Sequence, residues 1–279
     1  AVLTLSAGGG AWVGAAAFTV GLLVETVLVV CARTGVDGPS HPVAAEEGAP
    51  GVTDDRLLRF SAPLMVNTLL WWSTPLLINS VLARSRFPAE AIAAFVVVEA
   101  VAWFLTSPVG QLQHVGVALV DCKRNHRAVQ GWTLALGTGV ALVIGLMSTP
   151  PVRRVVLGAV FDLDPGLLAD IGTALPFAAA YPWLYGHRQY YQGLFTRCGR
   201  SDAVGWGAAL RVLTVLGVAV AGLARFGDAG ATLGVVAAAT GLVVEGVFLE
   251  RVARTQIMTA LPESGPARGE ALIDEGVTG

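Results

Sequence analysis

The chain of 279 residues is 54% hydrophobic and only 14% charged, with a mean hydropathy of +0.65. A soluble domain of this length does not carry so apolar a composition, which excludes one and points to a polytopic membrane protein, all-α because every backbone group must be satisfied within lipid. The formal net charge of -2 says little by its sum, and no nucleic-acid partner is expected.

About 20 apolar residues span a bilayer as a helix. Seven stretches qualify, at roughly 9–31, 60–82, 90–113, 131–149, 167–189, 203–225 and 229–250. The first carries Glu25 and has a twin at the other end of the chain. At an offset of 220 residues, Gly10/Gly230, Ala11/Ala231, Gly14/Gly234, Ala17/Ala237, Gly21/Gly241, Leu22/Leu242, Val24/Val244, Glu25/Glu245 and Val27/Val247 are identical. A carboxylate kept twice at one place in an apolar helix is costly in hydrocarbon, which favours a genuine repeat. The helix has no basic n-region, as a cleaved signal peptide would.

The Gly-, Pro- and acid-rich interval 32–58 has the composition of a solvated linker. It separates the lone helix of 1–31 from six that follow in 59–254. An even number of crossings separates the repeat copies, which makes the repeat parallel, as between the halves of some transporters. Helix 1–31 is then expected to be the last of a truncated first bundle, and 59–254 a six-helix C-terminal bundle that meets that missing N-terminal bundle of the same protein. Residues 255–279 read as a disordered cytoplasmic tail.

Several spans are interrupted. Pro63 and Pro75 sit in the span at 60–82, Pro108 with Gly110 in the next, and Pro176, Pro182 and Gly186 in that at 167–189. Proline frees backbone groups that must find partners or face a cavity, so these kinks mark either a central pathway or plain packing. Asn67 and Asn79 on one helix, with Gln111 and His114 on the next, are candidates to line such a cavity or to bond between helices. Glu99 lies in VVVEAVAWF without a sequence-adjacent cation. It is either a cavity-facing proton or cation site or a hydrogen-bonded structural acid. The segment 150–166 can lie along the interface as a short amphipathic helix.

Counted from the turn near Phe226 to Ala229, Arg211 and Glu245 fall at the same depth on antiparallel helices rising 1.5 Å per residue. A buried ion pair makes both charges tolerable. It either locks the helices or serves transport; Glu25 is the corresponding candidate in the first copy.

If 32–58 is cytoplasmic, twelve basic residues (Arg33, Arg56, Arg59, Lys123, Arg124, Arg127, Arg188, Arg197, Arg200, Arg251, Arg254 and Arg268) lie inside, against five outside (Arg84, Arg86, Arg153, Arg154 and Arg225). The bias places the first residue outside and the C-terminus in the cytoplasm, in a plasma membrane that the Ala-, Val- and Gly-rich texture marks as bacterial. Lys123, Arg124, Arg127 and Arg188 form a basic cytoplasmic entrance, either topogenic or collecting an anionic solute or lipid headgroups. Cys31, Cys122 and Cys198 fall at that end as reduced thiols, without metal spacing. No metal or cofactor is expected. With no phosphate-binding loop, GxSxG or HExxH, neither ATP-driven transport nor hydrolase chemistry is expected, and the chain is read as no enzyme.

The segments QLQHVGVALVDCKRNHRAV at 111–129, Arg211–Val212 and GDAGATLGVVAAATGLVVEG at 227–246, with LLRFSAPL at 57–64, resemble the progressive ankylosis (ANK) family of the exporter superfamily that also contains the MATE transporters. The resemblance covers 57–254 and the helix at 9–31. It implies a secondary transporter of two six-helix bundles working by alternating access, of which 59–254 is one MATE-like bundle, and a small polyanion such as pyrophosphate, a nucleotide or citrate as exported solute. On this resemblance Arg211, Glu245, Lys123 and Arg124 match family positions. A lipid-linked precursor flippase and a drug or cation antiporter are alternatives within transport. A membrane scaffold is the alternative of another class, and it predicts packed interhelical contacts around Glu99, Arg211 and Glu245 with no cleft.

Overall fold

The structure, a computed structural model, describes Val20, Leu23 and Val27 and residues 54–160, 163–227 and 230–263. Glu25, most of its repeat helix, most of the linker and most of the C-terminal tail lie outside the described residues. The chain divides into a unit Ala1–Val52, of which only those first three residues are described, all helical, and a unit Thr53–Gly279.

Among the described residues of the second unit there is no strand. Helix α1 (Asp54–Leu82) starts with Asp54 and Asp55, whose charges suit the positive end of the helix dipole, and carries Pro63 and Pro75 internally. Helix α2 (Pro88–Thr106) opens on a proline at its first turn, where the missing N–H costs nothing. At Pro108 the chain tightens into a 3₁₀ segment, Ser107–Gln111, and resumes as α3 (Leu112–Leu119). Helix α4 (Lys123–Ser148) is followed by the short α5 (Pro150–Arg153) and a π-helical stretch, Arg154–Val160, in the region expected as an interfacial helix. The expected span at 167–189 is two helices: α6 (Pro165–Ala178), capped by Asp164 accepting from the Gly166 amide at 2.7 Å, and α7 (Tyr181–Arg197). Pro176 and Pro182 flank the break, each lacking the N–H that would carry one ladder through it. Helices α8 (Ser201–Phe226) and α9 (Gly230–Gln256) are antiparallel partners joined across Gly227, whose φ of 59° suits glycine alone.

Among the described residues, four helical stretches are long and apolar enough to cross a membrane: Pro88–Leu119 (α2 through α3), α4, α8 and α9. They make this an integral membrane protein. Leu69, Phe104, Trp132, Leu142 and Leu213 stand exposed on the helices' outer faces, as lipid-facing side chains do. Outward hydroxyls such as Ser80, Thr138 and Thr214 bond back to their own helix, to the carbonyls of Leu76, Leu134 and Leu210, so none needs water.

Helix α9 is the centre of the bundle, packed against α8, α7, α6 and α2, while α1 lies on α8 and α3 on α7. Two apolar clusters stack along it. One holds Ile78, Phe95, Leu175, Val215 and Leu242; the other holds Val129, Tyr190, Phe195, Val204 and Leu249. On three helices a charged residue falls between them: Arg188 on α7, Arg211 on α8 and Glu245 on α9.

Candidate functional site

Glu245 is fully buried, and two guanidinium groups meet it. Arg211 donates from Nη1 to Glu245 Oε2 at 3.1 Å, and Arg188 Nε lies 2.8 Å from Oε1 as an ion pair without hydrogen-bond alignment. Arg188 completes its contacts through Nη2 to Asn67 Oδ1 at 2.8 Å and Nη1 to Gln189 Oε1 at 2.7 Å. Both arginines also stack on one indole, with Arg188 4.7 Å and Arg211 4.6 Å from the Trp71 ring centre. Two cations share one carboxylate, so this buried trio carries a surplus positive charge. Nε and Nη2 of Arg211 have no hydrogen-bond partner among the described residues. Buried N–H donors are rarely left so.

The depth count from the α8–α9 turn thus brings Arg211 and Glu245 together as expected. Arg188 is a correction to the basic entrance: only 3% exposed, it belongs to the buried trio and not with Lys123, Arg124 and Arg127. Its neighbours in α7, Tyr185, Gln189, Tyr190 and Gln192, are largely buried as well, because α7 is enclosed by α3, α4 and α9. A polar stretch of sequence here is a buried helix.

Arg211 opens on a cavity of about 520 Å³. Trp71, Trp103, Tyr185, Gln189, Glu99, Gln111 and His114 are among its walls. Its size lies within the range of small-molecule sites, and its mixture of aromatic and a few polar groups is theirs too. The 3₁₀ segment at Pro108 helps to shape it, since Gly110, Gln111 and His114 reach the cavity from the interruption between α2 and α3. Asn67 borders a smaller neighbouring cavity of about 170 Å³ with Arg188, Gln192 and Trp71. Asn79 lines neither; its Oδ1 is buried without a partner among the described residues.

Glu99 stands on the cavity wall and accepts from both sides: Tyr181 Oη donates to Oε1 at 2.7 Å and Trp103 Nε1 to Oε2 at 2.6 Å. Neither donor is charged, and no arginine or lysine among the described residues pairs with it. Trp103 packs edge-on against Trp71, ring centres 5.1 Å apart, and against Tyr185 at 5.0 Å. A continuous aromatic wall therefore connects the carboxylate at Glu99 with the guanidinium at Arg211.

Sequence reasoning missed Trp71, Trp103, Tyr181 and Tyr185. A signal existed for the first two: Trp71 follows Asn67, and Trp103 follows Glu99, by four positions, one helical turn on the same face.

At the far end of α4, Lys123 pairs with Glu263 at 2.7 Å. The hydrogen bond and charge of Lys123 hold the Glu263 carboxyl below its ordinary range. Asp121 is likewise lowered, first by the hydrogen bond from Asn125 and then by Cys122. Arg124 and Arg127 are exposed. A second polar network, His126 with Tyr190, Gln130 with Tyr191 and His187 with Glu250, runs between α4, α7 and α9. Among the described residues no His, Cys, Asp and Glu cluster has the makings of a metal centre.

Compared with protein-family models, with curated proteins and with solved structures, the chain matches none.

Proposed function

We propose that the chain is the substrate-binding bundle of a secondary-active transporter that exports, by alternating access, a small organic or phosphate-containing solute bearing at least one anionic group. The observation that carries the proposal is the pair of unpartnered Arg211 donors, Nε and Nη2, buried beside a second guanidinium in the wall of a cavity of about 520 Å³. An anionic group entering there meets N–H donors already oriented by Glu245 and Trp71. Such charge-assisted bonds are the strong ones, and fixed donors need little reorganisation when the ligand arrives. A scaffold has no use for a cleft beside a buried surplus charge.

The proposed architecture has six crossings in 54–256: the four long apolar helices, α1, and α6 with α7 as one broken span. Helix α1 is 29 residues, about 43 Å at 1.5 Å per residue, ample for a tilted crossing. The break between α6 and α7 and the interruption at Pro108 are the irregular backbone that membrane proteins place beside cavities. A seventh helix at 9–31 would close the preceding MATE-like bundle. In this orientation Lys123, Arg124 and Arg127 form the cytoplasmic rim, gathering anions before they reach the buried arginines.

The test is export of labelled pyrophosphate, nucleotide, citrate and a neutral amino acid from cells expressing the protein. Wild type is expected to export at least one, and Arg211→Gln, at equal membrane abundance, to lose that export at least tenfold, the equivalent of about 1.4 kcal/mol. Export of none of them, or unchanged export by the variant, overturns the proposal.

A further inference from the structure

We infer that the cavity takes an amphoteric solute: a small molecule whose carboxylate or phosphate docks on Arg211, whose cationic nitrogen reaches Glu99, and whose apolar body lies on Trp71 and Trp103. Resting on the transporter proposal, this names the substrate class of that same site. The wall has two poles. At one, Arg211 offers Nε and Nη2 without partners, from a side chain only 1% exposed. At the other, both Glu99 oxygens accept only neutral donors, and each has acceptor capacity left. Between them runs the aromatic surface: the Arg211 guanidinium is 4.6 Å from the Trp71 ring centre, which is 5.1 Å from that of Trp103. Indole faces also attract a cation, which favours the nitrogen-bearing end of a solute sliding along them.

Charge arithmetic separates this solute from a polyanion. With Glu99 ionised, Arg188 and Arg211 are matched by Glu245 and Glu99, so these four groups sum to zero. A solute with one charge of each sign leaves that balance intact and gives each pole its counter-ion. A solute with two or more negative charges has one open guanidinium edge to meet and places its remaining charge beside Glu99, in a partly desolvated space where an unpaired charge is costly. A cation alone leaves the Arg211 donors unmet.

The experiment is equilibrium binding to the purified protein in lipid nanodiscs, with phenylalanine as the amphoteric probe. Its comparators are 3-phenylpropionate, which lacks the nitrogen, phenethylamine, which lacks the carboxylate, and pyrophosphate. Wild type is expected to bind phenylalanine about tenfold or more tighter than each comparator. In Glu99→Gln the preference over 3-phenylpropionate disappears while 3-phenylpropionate itself still binds, which also proves that the variant is folded. In Arg211→Gln the preference over phenethylamine is lost. Binding of 3-phenylpropionate or pyrophosphate by wild type as tightly as phenylalanine, unchanged selectivity in Glu99→Gln, or no binding of any probe overturns the inference. Selective binding without cellular export would sink the transporter proposal and leave the two-pole site standing; anion export without this selectivity would do the reverse.

Discussion

Glu245→Ala lowers the stability of the folded protein by about 3–5 kcal/mol, the cost of breaking a buried ion pair and leaving its partner charge uncompensated. Here two partners are stranded at once. Arg188 and Arg211 both stack on Trp71, at 4.7 and 4.6 Å from its centre, so without the carboxylate two like charges sit against one indole, both nearly fully buried. Arg188→Met or Arg211→Met costs less, because either leaves one guanidinium on one carboxylate, a neutral pair. The order, glutamate far worse than either arginine, separates a shared carboxylate from two independent contacts. Thermal unfolding of the three variants in the same detergent measures it. Three equal melting temperatures would mean that the charges are not energetically coupled, and both proposals for the site would lose their foundation.

That trio was half legible in the sequence, for a geometric reason. Arg211 and Glu245 lie on helices joined by a short turn, so counting 1.5 Å per residue from Gly227 aligns them without knowledge of any other helix. Arg188 has no such ruler. It stands in HRQYYQ, and a stretch so polar reads as a loop end under any rule that equates polarity with exposure. What hides it is tertiary: α3, α4 and α9 enclose α7, and its polar groups are met by Asn67, Gln189 and Glu245. The break of the span at 167–189 was visible as Pro176 and Pro182, and the interruption of that at 90–113 as Pro108. The cavity that this second break helps to shape was visible only as the question whether Gln111 and His114 line a cavity or bond between helices. They line one, together with Glu99 and Arg211.

Glu99 illustrates why the sequence left two roles open. A carboxylate in an apolar helix must be satisfied. Tyr181 and Trp103 do this with neutral donors, the behaviour expected of a structural acid. Yet the same carboxylate lines the cavity, the behaviour expected of a site. Both hold because each oxygen has acceptor capacity beyond one donor. The neutral donors position the group, and its remaining lone pairs stay open to whatever enters. Tyr181→Phe removes one of the two and tests the positioning apart from the charge.

The second large effect is steric. Gly193→Ala is expected to lose about 2 kcal/mol, since the added Cβ overlaps the Gln113 carbonyl oxygen where α3 crosses α7, and backbone in contact with backbone yields only if a helix moves. The substitution would otherwise be favourable, because alanine is the better helix former by about 1 kcal/mol. Gly131→Ala on α4 isolates that favourable part: nothing lies within 4 Å of its Cβ, so it should raise the melting temperature slightly. The displaced element matters for function as well. Gln113 borders both cavities, and the same piece of chain carries Gln111 and His114. Gly193→Ala should therefore weaken binding at Arg211 without touching any charged residue, whereas Gly131→Ala leaves it unchanged. If the two variants melt together and bind alike, α3 slides on α7 at no cost, and the cavity walls are not held by that crossing.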